Sequence, residues 1–272
     1  MLEELFGTTK PVIGVIHLLP LPGSPRFSGQ IEAMLARAEQ EAASLASGGA
    51  DAIIVENFFD APFAKNRVDM ATACALTLAA KRIKEISQLP LGINVLRNDG
   101  HAALAVAAAC QAEFIRVNVL TGAMVTDQGV IESEAHELMM YRRMLGMETQ
   151  IRILADVMVK HAVPLGVGAQ IGQMAKDTVF RGMADGIIVS GVATGSAPPL
   201  EDLQAVRHAL PKTPIFVGSG ISRENVGAML GIADGIIVAS SLKRQGVLEN
   251  PVDVDRVRAL VDSVKRALTP SS

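Results

Sequence analysis

Charge of either sign is scarce in this 272-residue sequence. Asp, Glu, Lys and Arg make up 19% of it, with 25 basic residues against 28 acidic ones and a formal net charge of −3. No long basic run occurs, which excludes nucleic acid as an expected partner. Cysteine is almost absent. Cys74 and Cys110 lie far apart in Ala-rich helical segments, which excludes a disulfide framework or a zinc site and reads both as small apolar core residues of a reducing compartment. No charged-then-apolar signal pattern opens the chain, where Glu3 and Glu4 precede Pro11. No apolar run reaches bilayer-spanning length, since the best candidates are broken by proline or charge. A cytoplasmic protein, soluble or at most peripheral on a membrane, is expected. Aromatic residues amount to 3%, with no tryptophan.

What the sequence does have is aliphatic character, 49% hydrophobic in all. Buried parallel strands and Ala-rich helices account for most of that excess, and the remainder leaves room for a homo-oligomer interface or a membrane-surface contact. Four segments share an Ala-acid-x-apolar start: residues 50–55, 112–117, 184–189 and 233–238. Four other apolar runs alternate with them, at 12–16, 91–95, 151–157 and 215–217, three of these just after Pro11, Pro90 and Pro214. Helical stretches separate the eight strands, which forces parallel pairing through right-handed crossovers. Eight such units in a chain of this length predict one (β/α)8 barrel over residues 1–272. Helices are expected over 31–48, 70–86, 101–110, 132–146 and 200–209. Another follows a Ser222 N-cap, and a last one starts at Asn250-Pro251 with a stripe of Val254, Val257, Leu260, Val261, Val264 and Leu268. Residues 269–272 read as a frayed tail.

The stretch Thr213–Leu242 organises this reading. One apolar strand ends in Gly218-Ser219-Gly220 and the next in Ala239-Ser240-Ser241. Two adjacent parallel strands ending in small and hydroxylated residues bring unobstructed backbone N–H groups together, which is how a barrel holds a phosphate after its seventh and eighth strands. The small-residue loop Ser190–Ser196, with Thr194 and Gly195, either adds N–H donors to that site or makes a tight turn.

Chemistry in a barrel belongs at the C-terminal ends of the strands, and here those ends are polar. Asp156 is a candidate general base, metal ligand or partner of a cation. Lys160 and His161 follow it, so an Asp–Lys or Asp–His couple could move a proton, or Asp156 and Lys160 could form a structural ion pair. Glu56 and Asn57 make a second polar pair, and Asn94 and Asn118 could orient hydroxyls. Arg116 is a charge inside a strand, suited to a ligand's carboxylate or phosphate, or to neutralising Glu56 or Asp156. His17 beside Glu56 and Asp156 raises the question of a metal, but a lone strand-end His is more often hydrogen-bonded. No metal or cofactor is assigned. His101, His136 and His208 read as surface residues. Loop 119–131, the longest βα loop, is the candidate lid.

Several strings together resemble the BtpA family, with wording close to its cyanobacterial branch: VIGVIHLLPLPGSPRF, IIVENFFDAPF, GINVLRNDGH, FIRVNVLTGAMVTDQG, ILADVMVKHAVPL, GVATGS and ADGIIVASSLK. They run from about residue 11 to residue 260 in the family's order and spacing. The resemblance implies a barrel related to the ribulose-phosphate-binding group. It also implies an extrinsic protein on the cytoplasmic face of the thylakoid membrane that supports photosystem I reaction-centre proteins, with photosystem I assembly components or that membrane surface as partners. The family's occurrence in organisms without photosynthesis implies an older small-molecule activity, for which a phosphorylated ligand is the candidate.

Overall fold

The computed structural model describes residues 1–166 and 168–269. Eight parallel strands close into a barrel: β1 (Val12–His17), β2 (Ala52–Glu56), β3 (Leu91–Asn94), β4 (Phe114–Val117), β7 (Arg152–Val157), β9 (Gly186–Val189), β10 (Ile215–Val217) and β11 (Gly235–Val238), with β11 pairing back onto β1. Around them lie α2 (Ile31–Gly48), α3 (Met70–Ser87), α4 (Gly100–Cys110), α5 (Ala135–Met144), α6 (Ile171–Phe180), α7 (Leu200–Ala209), α8 (Val226–Leu230) and α9 (Val254–Leu268). The expected (β/α)8 fold is the one present.

The four-fold Ala-acid repeat has a structural purpose at the bottom of the barrel. Asp51, Glu113, Asp185 and Asp234 each precede a strand, and each carboxylate accepts the N–H at or next to the start of the strand before it. The donors are Val12 (2.7 Å), Leu91 (2.7 Å), Ile153 (2.8 Å) and Ile215 (2.9 Å). Each acid's own N–H returns to the carbonyl of that same residue. Four reciprocal clamps thus hold the strands in pairs where no helix covers their first N–H groups.

The barrel interior is filled by few aromatics and many aliphatics. Phe6, from the short helix α1 (Leu2–Phe6), plugs the bottom and meets Phe114 and Phe216 edge-on, with centroids at 5.6 and 6.0 Å. Gly92 and Gly235 make room for those two rings. A Cβ on Gly92 would stand 2.2 Å from Phe114, and one on Gly235 2.8 Å from Phe216. Three of the eight phenylalanines therefore suffice for the inner core.

Several expectations need correction. Loop 119–131 holds the hairpin β5 (Ala123–Thr126) and β6 (Gly129–Glu132), and β8 (Ala162–Pro164) joins it as a third antiparallel strand. That hairpin delays the following helix from 132 to Ala135. Helix α9 starts at Val254, not at 250–251, because Val252 bridges to Lys243 and the Asp253 carboxylate takes the N–H groups of Asp255 and Arg256. Ser222 does not cap α8, which begins after Asn225. Helices α1 and α6 were not anticipated. Cys110 is buried but Cys74 is exposed, and His101 is half-buried, stacked on Tyr141. The expected frayed tail lies, beyond Thr269, outside the described residues. Large apolar side chains stand exposed on α3 (Met70, Leu78, Ile86), on α5 (Met140, Met144) and at the end of α6 (Phe180). No helix among the described residues is long and apolar enough to cross a membrane.

Candidate functional site at the barrel mouth

Arg116 sits at the centre of the mouth, 2% exposed, because β4 turns it inward between two acidic strand ends. Its Nε and Nη2 donate to the two oxygens of Asp156 at 2.8 and 2.9 Å, and its Nη1 donates to Glu56 at 3.1 Å. Asp156 also accepts from the Asn118 amide (3.1 Å) and the Ser190 hydroxyl (3.4 Å). Asn94 donates to the Asn118 amide oxygen and to the Arg116 carbonyl, both at 3.0 Å. Asp156 is therefore a saturated acceptor, and its cation is Arg116 rather than Lys160. Of the roles open to Arg116, neutralising both carboxylates is the one it fills.

Burial works against a charge on Glu56, but the His17 imidazole and the Arg116 guanidinium outweigh it and hold the carboxyl at about 2. His17 Nε2 lies 3.6 Å from the carboxylate, longer than a formed hydrogen bond, so Arg116 is the contact that decides. Burial also pushes His17 below its ordinary value despite Glu56, so the imidazole is neutral near pH 7. The ring stacks on Phe58 at 4.1 Å, and its Nδ1 is buried without a partner, as is the Asn94 amide oxygen. Buried polar atoms left unpaired are rare in folded proteins, and of these two residues His17 is the one that lines the cleft at the barrel mouth.

A narrow cleft of about 20 Å³, partly open to solvent, brings together His17, Glu56, Arg116 and Lys160 with Thr194, Gly195, Gly218, Ser219, Gly220 and Ser240. The backbone N–H groups of Gly195, Gly220, Ile221, Ser240 and Ser241 donate to no acceptor among the described residues. Gly220 is fixed by packing: its φ is +66°, and a Cβ there would lie 2.0 Å from the Ala197 nitrogen. Ser219 is committed to the scaffold, accepting from the Gly191 N–H (2.9 Å) and donating to the Ser196 carbonyl (2.7 Å). Ser241 donates to the Ile221 carbonyl and, with Asn94, Asn118, Asp156 and His161, is not part of the cleft wall, whereas Ala239 is. His161 braces the Ser190–Ser196 loop instead, its Nε2 3.1 Å from the Thr194 hydroxyl. The clamp role of Arg97, whose Nη2 donates to the Lys160 carbonyl at 2.7 Å, went unassigned in the sequence, and His17, expected to be hydrogen-bonded, has an Nδ1 without a partner. The strand-end position of Arg97 was the available signal.

A BtpA family model matches residues 8–266. The chain belongs to the BtpA family. Its relatives include the photosystem I biogenesis protein BtpA of Synechocystis sp., 54% identical over 98% of this chain and 92% of that protein. An uncharacterized protein of Thermococcus kodakarensis is 46% identical over 94% of this chain and 95% of its own length. Among solved structures, native KDPGal superposes with a TM-score of 0.57 at 14% identity, covering 96% of this chain and 97% of that one. N-(5'-phosphoribosyl)anthranilate isomerase from Pyrococcus furiosus gives 0.54 at 15% identity, covering 94% and 99%. At such identities the likeness concerns the fold, and it agrees with the closed barrel above.

Proposed function

We propose that this family member binds a small phosphorylated metabolite in the barrel mouth and acts on it by proton transfer. The carrying observation is the set of unpartnered backbone N–H groups at Gly195, Gly220, Ile221 and Ser240, around a cleft whose other wall holds Glu56, Arg116 and Lys160. Neutral, converging amides suit a phosphate dianion. Asp156, tied to Arg116, orients that cation, and Glu56 with His17 stands where a ligand's hydroxyl or carbonyl would lie. The phosphate named in the Pyrococcus furiosus isomerase is consistent with this reading.

Native mass spectrometry and a thermal-shift screen of phosphorylated metabolites test it. A ligand that raises the melting temperature of the wild type but not of Ser240→Asp supports the site, since a carboxylate at 240 repels phosphate. A ligand bound equally by both, or none across a broad panel, rejects it.

The 54% identity to the Synechocystis protein favours a second, compatible reading. In this one the chain supports accumulation of photosystem I proteins, acting peripherally at the thylakoid surface. In a photosynthetic host it should then fractionate partly with thylakoids and be released by salt or carbonate. A wholly soluble distribution would count against it.

A further inference from the structure

Lys160 is the one cationic group of the cleft that stands outside the ion cluster of Arg116, Glu56 and Asp156. It is half-buried, it lines the cleft, and only its carbonyl, not its ammonium group, takes part in a hydrogen bond or ion pair among the described residues. Its backbone is held on both sides. Val159 before it is buried against Val119, Met124 and Ile131. Arg97 donates to its carbonyl, and the next N–H, that of His161, donates to the Val192 carbonyl at 3.1 Å. The amine thus stands on a rigid mount, as a reacting group must.

Its place in the barrel matters equally. In the strand order, β7 lies opposite β1, so Lys160 faces His17 and Glu56 across the mouth, while the amides of Gly220 and Ser240 lie to one side, after β10 and β11. A ligand anchored there by its phosphate would extend between an amine and a carboxylate.

We propose that Lys160 forms an imine with the carbonyl carbon of a phosphorylated aldehyde or ketone bound in this cleft. The inference rests on the phosphate reading and names its substrate class. The amine lone pair adds to the carbonyl carbon, and the carbonyl π pair moves to oxygen. The ionised Glu56 takes a proton from the nitrogen and returns it to that oxygen. The second nitrogen hydrogen follows, the C–O bond breaks, and both hydrogens leave as water, so that amine and carbonyl give imine and water with no oxidant or reductant. Addition requires a neutral amine. Burial, then the neighbouring Arg116 and Arg97, pull Lys160 below the ordinary lysine range, against Glu56 and Asp156. Desolvation beside another cation is a recognised way to activate such a lysine.

The test is borohydride trapping on the full chain. Dihydroxyacetone phosphate and glycolaldehyde phosphate are compared with dihydroxyacetone and glycolaldehyde, by intact mass and peptide mapping. The expected result is one reduced adduct per chain on the Lys160 peptide, reaching half-labelling at about tenfold less of the phosphorylated probe and absent in Lys160→Met. No adduct at Lys160, or equal labelling of exposed lysines such as Lys65 and Lys81, overturns it. The wild-type peptide map decides this even if Lys160→Met fails to fold. Inorganic phosphate in a thermal melt separates the two readings. If phosphate stabilises the wild type but Lys160 is not labelled, the imine falls and the phosphate cleft stands. If phosphate has no effect and no label forms, both fall.

Discussion

Replacing Arg116 by Met tests whether the mouth is an electrostatic unit. In the wild type one guanidinium serves two buried carboxylates, Asp156 at 2.8 Å and Glu56 at 3.1 Å. Glu56 is held at about 2 against an ordinary 4.5. Because the folded-state value is the lower one, this contributes stability above about pH 4.5 that is lost as pH falls toward about 2. Arg116→Met leaves both carboxylates buried without their cation, at an expected cost of about 3–5 kcal/mol near neutrality, or roughly 10 °C in Tm.

The pH profile should also change sign. With the guanidinium gone, burial dominates Glu56 and lifts its folded-state value above the unfolded one. The folded state then binds the extra proton, so the variant gains stability as pH falls from about 7 to about 5. Urea titrations across that range measure both effects. Adding Glu56→Gln and Asp156→Asn to Arg116→Met should recover most of the loss, because no unpaired charge remains. A loss under about 1 kcal/mol, with a pH profile parallel to wild type, would refute the idea that Arg116 neutralises this pair.

Three further outcomes are expected. Asp51→Ala removes the clamp on the Val12 N–H and should cost about 1–2 kcal/mol in urea unfolding, with ligand binding unchanged. Gly220→Val should lower stability by about 1–3 kcal/mol and also weaken phosphate binding by calorimetry, because the new side chain displaces residues 196–197 at the cleft rim; an unaltered isotherm would remove that loop from the site. Under native conditions iodoacetamide should modify Cys74 and spare Cys110, whose thiol burial pushes up to about 11; two adducts per native chain would contradict the packing around α4.

The fold was legible because its signals are local. Seven of the eight barrel strands are apolar runs that follow Pro or the Ala-acid pair, so the order of all eight could be read directly. The purpose of the acid could not, since its acceptor role depends on an N–H some 19 to 39 residues away in sequence. Helix α6 did carry a pattern, in Ile171, Ala175 and Thr178, and the hairpin carried a turn at Asp127-Gln128-Gly129 between extended segments. Both were lost in stretches read for their polar residues. At the site, strand-end position identified the participants without their pairing. Asp156 reads in one dimension as a general base, a metal ligand or the partner of a cation, and the barrel's closure selects the last by delivering Arg116 and Asn118 to it. Lys160 gained importance for the converse reason, that closure leaves its ammonium group unpaired.

The two functional readings make different demands on the same molecule. A surface role at the thylakoid would use outward-facing side chains, whereas the unpaired N–H groups, the orphaned His17 Nδ1 and the mounted Lys160 all face or border one small cleft. A docking surface has no need of backbone donors left without partners around one cleft, where Ile221 is buried and Gly220 and Ser240 are half-buried. The Thermococcus kodakarensis relative is 46% identical over 94% of this chain, so the stretch that makes the cleft is shared beyond the photosystem I biogenesis protein. Ser240→Asp therefore separates the demands in a photosynthetic host. If photosystem I accumulates normally while phosphate binding is lost, the assembly role runs on the outer surface and is independent of the cleft. If both fail together, the photosystem effect is a consequence of what the cleft binds or converts.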